Sequence, residues 1–133
     1  MGVGSATGFD VVVGNPPFVG GQKLTGALGQ DYREYLVNRI GGGKRGSADL
    51  CSYFLLRNLS LAPGRRTGII ATNTIAQGDT REVGLDQATA NGWTVYRAVK
   101  SQPWLGTAAV VVSLLWLTGG SARARFPCWT ATR

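Results

Sequence analysis

The stretch Phe9-Asp10-Val11-Val12-Val13-Gly14-Asn15-Pro16-Pro17-Phe18 carries the architecture of this chain. Residues 9–13 are short, β-branched and closed by Gly14, the pattern of a strand buried in the middle of a parallel sheet. Pro16 and Pro17 each fix one backbone torsion and disfavour helix in the residue before, so Asn15 is held extended where the strand ends. An Asn fixed in this way is a rigid hydrogen-bond acceptor, and Phe18 beside it offers a stacking face. Together these groups suit an amino group on a flat, π-rich substrate such as a nucleobase.

Downstream, residues 19–47 are rich in Gly and read as a long loop carrying one helix over 31–40, where Tyr32, Tyr35, Leu36 and Ile40 fall at helix spacing. Leu50, Tyr53, Phe54, Leu56 and Leu59 make a broad apolar face over 49–61. Ser47 or Asp49 serves as the N-cap of that helix, and Ala62-Pro63-Gly64 stops it. A second buried strand covers 67–72, followed by a loop over 73–81 and a weak helix over 81–90 that ends at Asn91-Gly92. Strands over 93–99 and 108–117 complete the order. Strand, helix, strand, helix and two closely connected strands predict a doubly wound α/β sheet with an antiparallel closing hairpin. Residues 119–133 carry Arg123, Arg125 and Arg133 without periodicity and are expected to form a poorly ordered basic end to a domain spanning 1–118.

A length of 133 residues allows one small domain or a piece of a larger one. The formal net charge of +7 with no His favours a polyanionic partner or an anionic surface, with solvated Arg side chains as the plainer account. Cys51 and Cys128 are too few and too distant for a disulfide framework or a zinc site, which fits a reduced, cytoplasmic setting. The longest apolar segment, 108–117, is far shorter than the roughly 18 residues of a membrane span. No charged, then apolar, leader opens the chain. Gly2-x-Gly4-x-x-x-Gly8 precedes the first strand instead of following one, and Gly41-Gly42-Gly43-Lys44-Arg45 lacks the hydroxyl residue a phosphate loop places after its Lys. Neither is a nucleotide cradle.

The string FDVVVGNPPF resembles motif IV of the amino-methyltransferases that act on DNA adenine. Ser47-Ala48-Asp49-Leu50 through Phe54, Pro63 through Gly68, Ile70-Ala71-Thr72-Asn73-Thr74 and the strand from Ala108 resemble later motifs of the same enzymes, in order. The Gly-rich stretch and the Tyr-x-x-Tyr-Leu helix at Tyr32 to Leu36 are similar to the large single-chain restriction–modification subgroup. The resemblance implies part of a Rossmann-like class I methyltransferase sheet, S-adenosylmethionine as methyl donor, double-stranded DNA as partner and no metal in this segment. It also implies that the chain corresponds to the second half of a catalytic domain. The Gly-rich donor loop, the acidic ribose ligand and a target-recognition domain are then expected from elsewhere.

The implied chemistry agrees with what these residues can do. An exocyclic adenine amine is a poor nucleophile because its lone pair is delocalised into the ring. The side-chain oxygen of Asn15 and the carbonyl of Pro16 can accept its two hydrogens, draw them out of the base plane and free the lone pair. No titrating group is needed, and fixed dipoles and positioning supply the acceleration. Phe18 is expected either to stack on an extruded base or to sit as an ordinary core aromatic, and Trp104 either to cover the base's other face or to plug the sheet edge. Asp49 stands between a role in the donor pocket and a helix cap. Lys44, Arg45, Arg65 and Arg66 are candidates for phosphate contact or ordinary solvated charge. Methylation of RNA adenine or protein glutamine, and a non-catalytic nucleic-acid-binding module, are the rival functions.

Overall fold

A computed structural model describes residues 8–120. The tail residues Arg123, Arg125, Cys128 and Arg133 and the glycines Gly2 and Gly4 therefore lie outside the described residues. Four strands, β1 (Val11–Gly14), β2 (Arg66–Thr72), β3 (Thr94–Pro103) and β4 (Val111–Thr118), form one sheet in the order β1-β2-β4-β3. β1 runs parallel to β2, from Val11 opposite Arg66 to Gly14 opposite Ile69. β4 is antiparallel to both β2 and β3, and its pairing with β3 slips near Val95/Arg97 and Val99/Gln102. The closing hairpin is thus present, and the sheet is a partial Rossmann-like one.

One expectation is corrected by position. β1 lies at an edge of the sheet among the described residues, not in its middle, and Val11 and Val13 are 57% and 75% exposed. Its β-branched run carries the composition of a buried strand, but only β2 pairs with it. Composition reports what a strand is built to bury, and neighbours decide whether it does so.

The helix α3 (Leu50–Leu61) packs on one face of the sheet, where Cys51, Leu55 and Leu59 meet Ile69, Ala71, Leu115 and Leu117. A second cluster of Leu24, Leu36, Val37, Ala48, Leu50, Tyr53 and Val83 joins α3 to the outer helices. The Gly-rich segment is more helical than its composition suggests. It contains α1 (Leu24–Leu28), a break at Gly29 with φ of 85°, α2 (Gln30–Tyr35) and a π-helical turn over Leu36–Ile40. After β2, a tight turn at Asn73–Ala76 leads into α4 (Gly78–Arg81), a π-helical turn at Glu82–Asp86 and α5 (Gln87–Ala90). Helix therefore starts at Gly78, inside the expected loop, and the last two strands are shifted from their expected 93–99 and 108–117 bounds.

Candidate active site

Asn15 directly follows the C-terminal end of β1, with Pro16 buried beneath it while Asn15, Pro17 and Phe18 remain exposed. The exit of this loop is fastened to the start of α3. Val19 N–H donates to the Pro17 carbonyl at 3.0 Å, Leu50 N–H donates to the Val19 carbonyl at 3.0 Å, and Gly21 N–H donates to Asp49 Oδ1 at 2.7 Å. A Cβ at Gly21 would lie 1.9 Å from the Ser47 carbonyl oxygen, so only glycine allows this approach.

Phe18 and Trp104, distant in sequence, have ring centroids 6.4 Å apart and planes at 89°. The edge-to-face geometry is a favourable aromatic contact in its own right. Trp104 is partly buried, and its backbone N–H donates to the Val110 carbonyl at 2.9 Å across the loop between β3 and β4.

Asp49 occupies the N-cap position of α3 in backbone conformation, but its side chain does not cap the helix. Its carboxylate instead accepts from Gly21 N–H, from Thr72 Oγ1 at 3.3 Å and from Thr74 Oγ1. Thr72 and Thr74 hydroxyls also lie 2.6 Å apart. Asp49 N–H donates to Thr80 Oγ1 at 3.0 Å. With Phe18, Lys23, Ser47, Gln77 and Thr80, Asp49 lines a cleft of about 690 Å³.

Asn73, part of a resembling motif but given no role from the sequence, ties two strands together. Ser113 Oγ donates to Asn73 Oδ1 at 2.7 Å, and Asn73 Nδ2 donates to Ser101 Oγ at 3.2 Å. The available signal was a polar triplet, Thr72-Asn73-Thr74, closing an otherwise apolar strand.

The basic candidates fall elsewhere. Arg45 spends its guanidinium on Glu34, at 3.2 and 3.1 Å, and this bond holds the Glu34 carboxyl below its usual range. Lys44 is exposed. Arg65 and Arg66 sit where β2 begins, and Arg65 approaches Asp10 at 3.7 Å. The parallel register puts that end roughly 20 Å from Thr72, given about 3.3 Å of rise per residue. These two arginines therefore flank the opposite end of the sheet from Asn15. Burial raises the pKa of the Cys51 thiol and of the Tyr53 phenol, both in the packed layer behind the site. No group of His, Cys, Asp or Glu among the described residues could hold a metal ion.

A strand that pairs parallel to β2 and leads into Asn-Pro-Pro-Phe, with an antiparallel closing hairpin, makes a partial Rossmann-like methyltransferase sheet. Residues 2–90 match the Eco57I restriction-modification methylase family, and the chain belongs to that family. Among solved structures it is similar to the Type IIL restriction-modification enzyme MmeI, determined in complex with DNA, with a TM-score of 0.65 and 22% identity. That likeness covers 81% of this chain and 15% of the MmeI chain, so the protein spans a small part of that relative's length. No curated protein matches the sequence.

Proposed function

We propose that this chain supplies the catalytic loop for methyl transfer from S-adenosylmethionine to the N6 amine of adenine in double-stranded DNA. The observation that carries the proposal is the loop Asn15–Phe18 at a strand's C-terminal end, with Phe18 and Trp104 facing each other beside it. A base sandwiched between two rings needs about 7 Å between them, two contact distances of roughly 3.5 Å. The centroids, 6.4 Å apart, fall about half an ångström short of that span, so turning one ring from edge-on to face-on opens such a slot once the two loops part by that amount. Asn15 Oδ1 and the Pro16 carbonyl then accept the two amine hydrogens, and the lone pair is released from the ring. Phe18 and Trp104 hold the extruded base against the stack it has left.

S-adenosylmethionine supplies an electrophilic methyl group when bound, but the described residues do not close a site for it. The Asp49 carboxylate is already engaged by Gly21, Thr72 and Thr74, and β1 offers an unpaired edge. The donor is therefore taken to bind together with a complementary N-terminal half of the catalytic domain. The other face of the sheet supports that division: Val13, Gly68, Ile70, Leu114 and Trp116 surround an open, largely apolar concavity of about 400 Å³. Residues 1–118 are then a partial catalytic domain, with target recognition resting on further polypeptide. Net charge of +7 and membership of a restriction-modification methylase family favour DNA over RNA or protein as substrate. A cytoplasmic setting suits that substrate, and no helix among the described residues is long and apolar enough to cross a membrane.

The test is to mix the chain with a complementary N-terminal half, offer duplex DNA, adenine-containing RNA and a glutamine peptide, and locate the added methyl by mass spectrometry. N6-methyladenine in DNA is the expected product, and methylated glutamine or RNA alone would overturn the substrate assignment. Calorimetry of the chain alone with S-adenosylmethionine should show negligible heat, whereas tight binding would refute the divided donor site.

A further inference from the structure

The tripeptide Thr72-Asn73-Thr74 stands between the two loops that carry Phe18 and Trp104. We propose that Asp49 and Asn73 are positioning residues that brace those loops against the end of β2 and so fix the separation of the two aromatic rings. The proposal rests on the base-clasping role given above to Phe18 and Trp104.

The brace follows from where β2 ends. Thr72 is the last residue of the strand, extended with φ of −67° and ψ of 157°, and Asn73 opens the tight turn that follows. Their side chains take different partners, Thr72 on Asp49 and Asn73 on Ser101 and Ser113. In the first arm, Thr72 and Thr74 hydroxyls meet Asp49, whose other oxygen holds Gly21 N–H, three residues after Phe18. A hydrogen bond to a carboxylate is stronger than one between neutral groups, so this arm is the stiffer of the two. The Leu50 N–H bond to the Val19 carbonyl runs beside it, and glycine at position 21 is dictated by the Ser47 backbone. In the second arm, Asn73 accepts from Ser113 at the start of β4 and donates to Ser101, three residues before Trp104. Ser101 has φ of 58°, a left-handed conformation uncommon outside glycine. The Asn73 bond is a local restraint on that residue, at the root of the Trp104 loop.

Hydrogen exchange on the 133-residue chain separates the two arms. Asp49→Ala should speed exchange at residues 19–23 by about tenfold or more, as loss of a hydrogen bond to a charged group does, and leave residues 101–106 unchanged. Asn73→Ala should do the reverse. Asp49→Asn keeps an acceptor for Gly21 N–H and should restore near-native exchange at 19–23. In the complemented enzyme, both alanine variants should lower kcat and the fluorescence of 2-aminopurine at the target position, with KM for the donor within about twofold of wild type. Unchanged exchange, or acceleration spread evenly over the chain, would overturn the brace. A raised donor KM with normal 2-aminopurine emission would instead make Asp49 a donor ligand and also overturn it. Absence of methyl transfer by the wild-type pair would remove the proposed function, while the exchange pattern would still decide whether the two arms exist.

Discussion

Ile69 and Ile70 are neighbours in one strand, yet they live in different environments. Ile69 faces α3 with Leu55, Leu115 and Leu117 and is 3% exposed, whereas Ile70 looks into the open concavity with Leu114 and Trp116. The two faces of the sheet teach different things. The α3 face is a finished core that stabilises this chain. The opposite face is apolar but uncovered among the described residues, with Arg97 set over Trp116 at 4.9 Å. Such a surface adds little to the chain's own stability and is suited to association.

Mutations can separate the faces. The largest expected effect is on the finished core: Leu55→Ala, at a side chain with no exposure, should cost about 2–5 kcal/mol in denaturant unfolding. A loss of less than about 1 kcal/mol would mean that α3 is loosely docked. Next comes Asn58, on the covered side of the edge strand, whose buried Nδ2 finds no hydrogen-bond partner among the described residues. Replacing an unsatisfied polar group by an apolar one of similar shape is neutral or favourable, so Asn58→Leu should leave the chain equally stable or raise stability by about 1 kcal/mol. Clear destabilisation would point to a partner for that amide. On the open face, Ile70→Ser at a half-buried side chain should cost the chain's own stability only about 1 kcal/mol, well below Leu55→Ala, yet abolish activity gained with the complementary half. Normal complementation by this variant would contradict the docking role of that face.

The smallest effect lies outside both faces. Arg45 lowers the Glu34 pKa from its ordinary 4.5, so the pair's contribution to stability is present above that pH and fades as the folded carboxyl is protonated on further acidification. Arg45→Gln should narrow the stability gap between neutral and strongly acidic solution, by a small amount because Glu34 is solvent-screened. Identical pH dependence in the two proteins would show that the exposed pair contributes nothing.

Much of the fold was readable where one residue type dominated a segment. The valines of 11–13 and the TGIIAT strand gave parallel neighbours, and Ala62-Pro63-Gly64 ended α3 where its last turn ends. Sheet position within this chain was not readable, because β1 has the composition of a central strand yet pairs only with β2 among the described residues. The helical turns at 24–28 were hidden by Gly26 and Gly29, since tertiary burial of Leu24 overrides low local propensity. Asn15 to Phe18 and Trp104 could be named from type and order, but not the contact between the rings. Asp49 and Asn73 show the limit most clearly: their side-chain partners lie 23 to 40 residues away, and no local pattern encodes such pairings.

Single-turnover methylation by the complemented enzyme, comparing wild type with Asn15→Ala, bears hardest on the proposed chemistry. Losing one of two preorganised acceptors for the amine hydrogens should slow transfer roughly 10²–10³-fold, with DNA affinity nearly unchanged because phosphate contacts carry most of it. Methylation within a few-fold of wild type would make Asn15 a structural residue and contradict the mechanism.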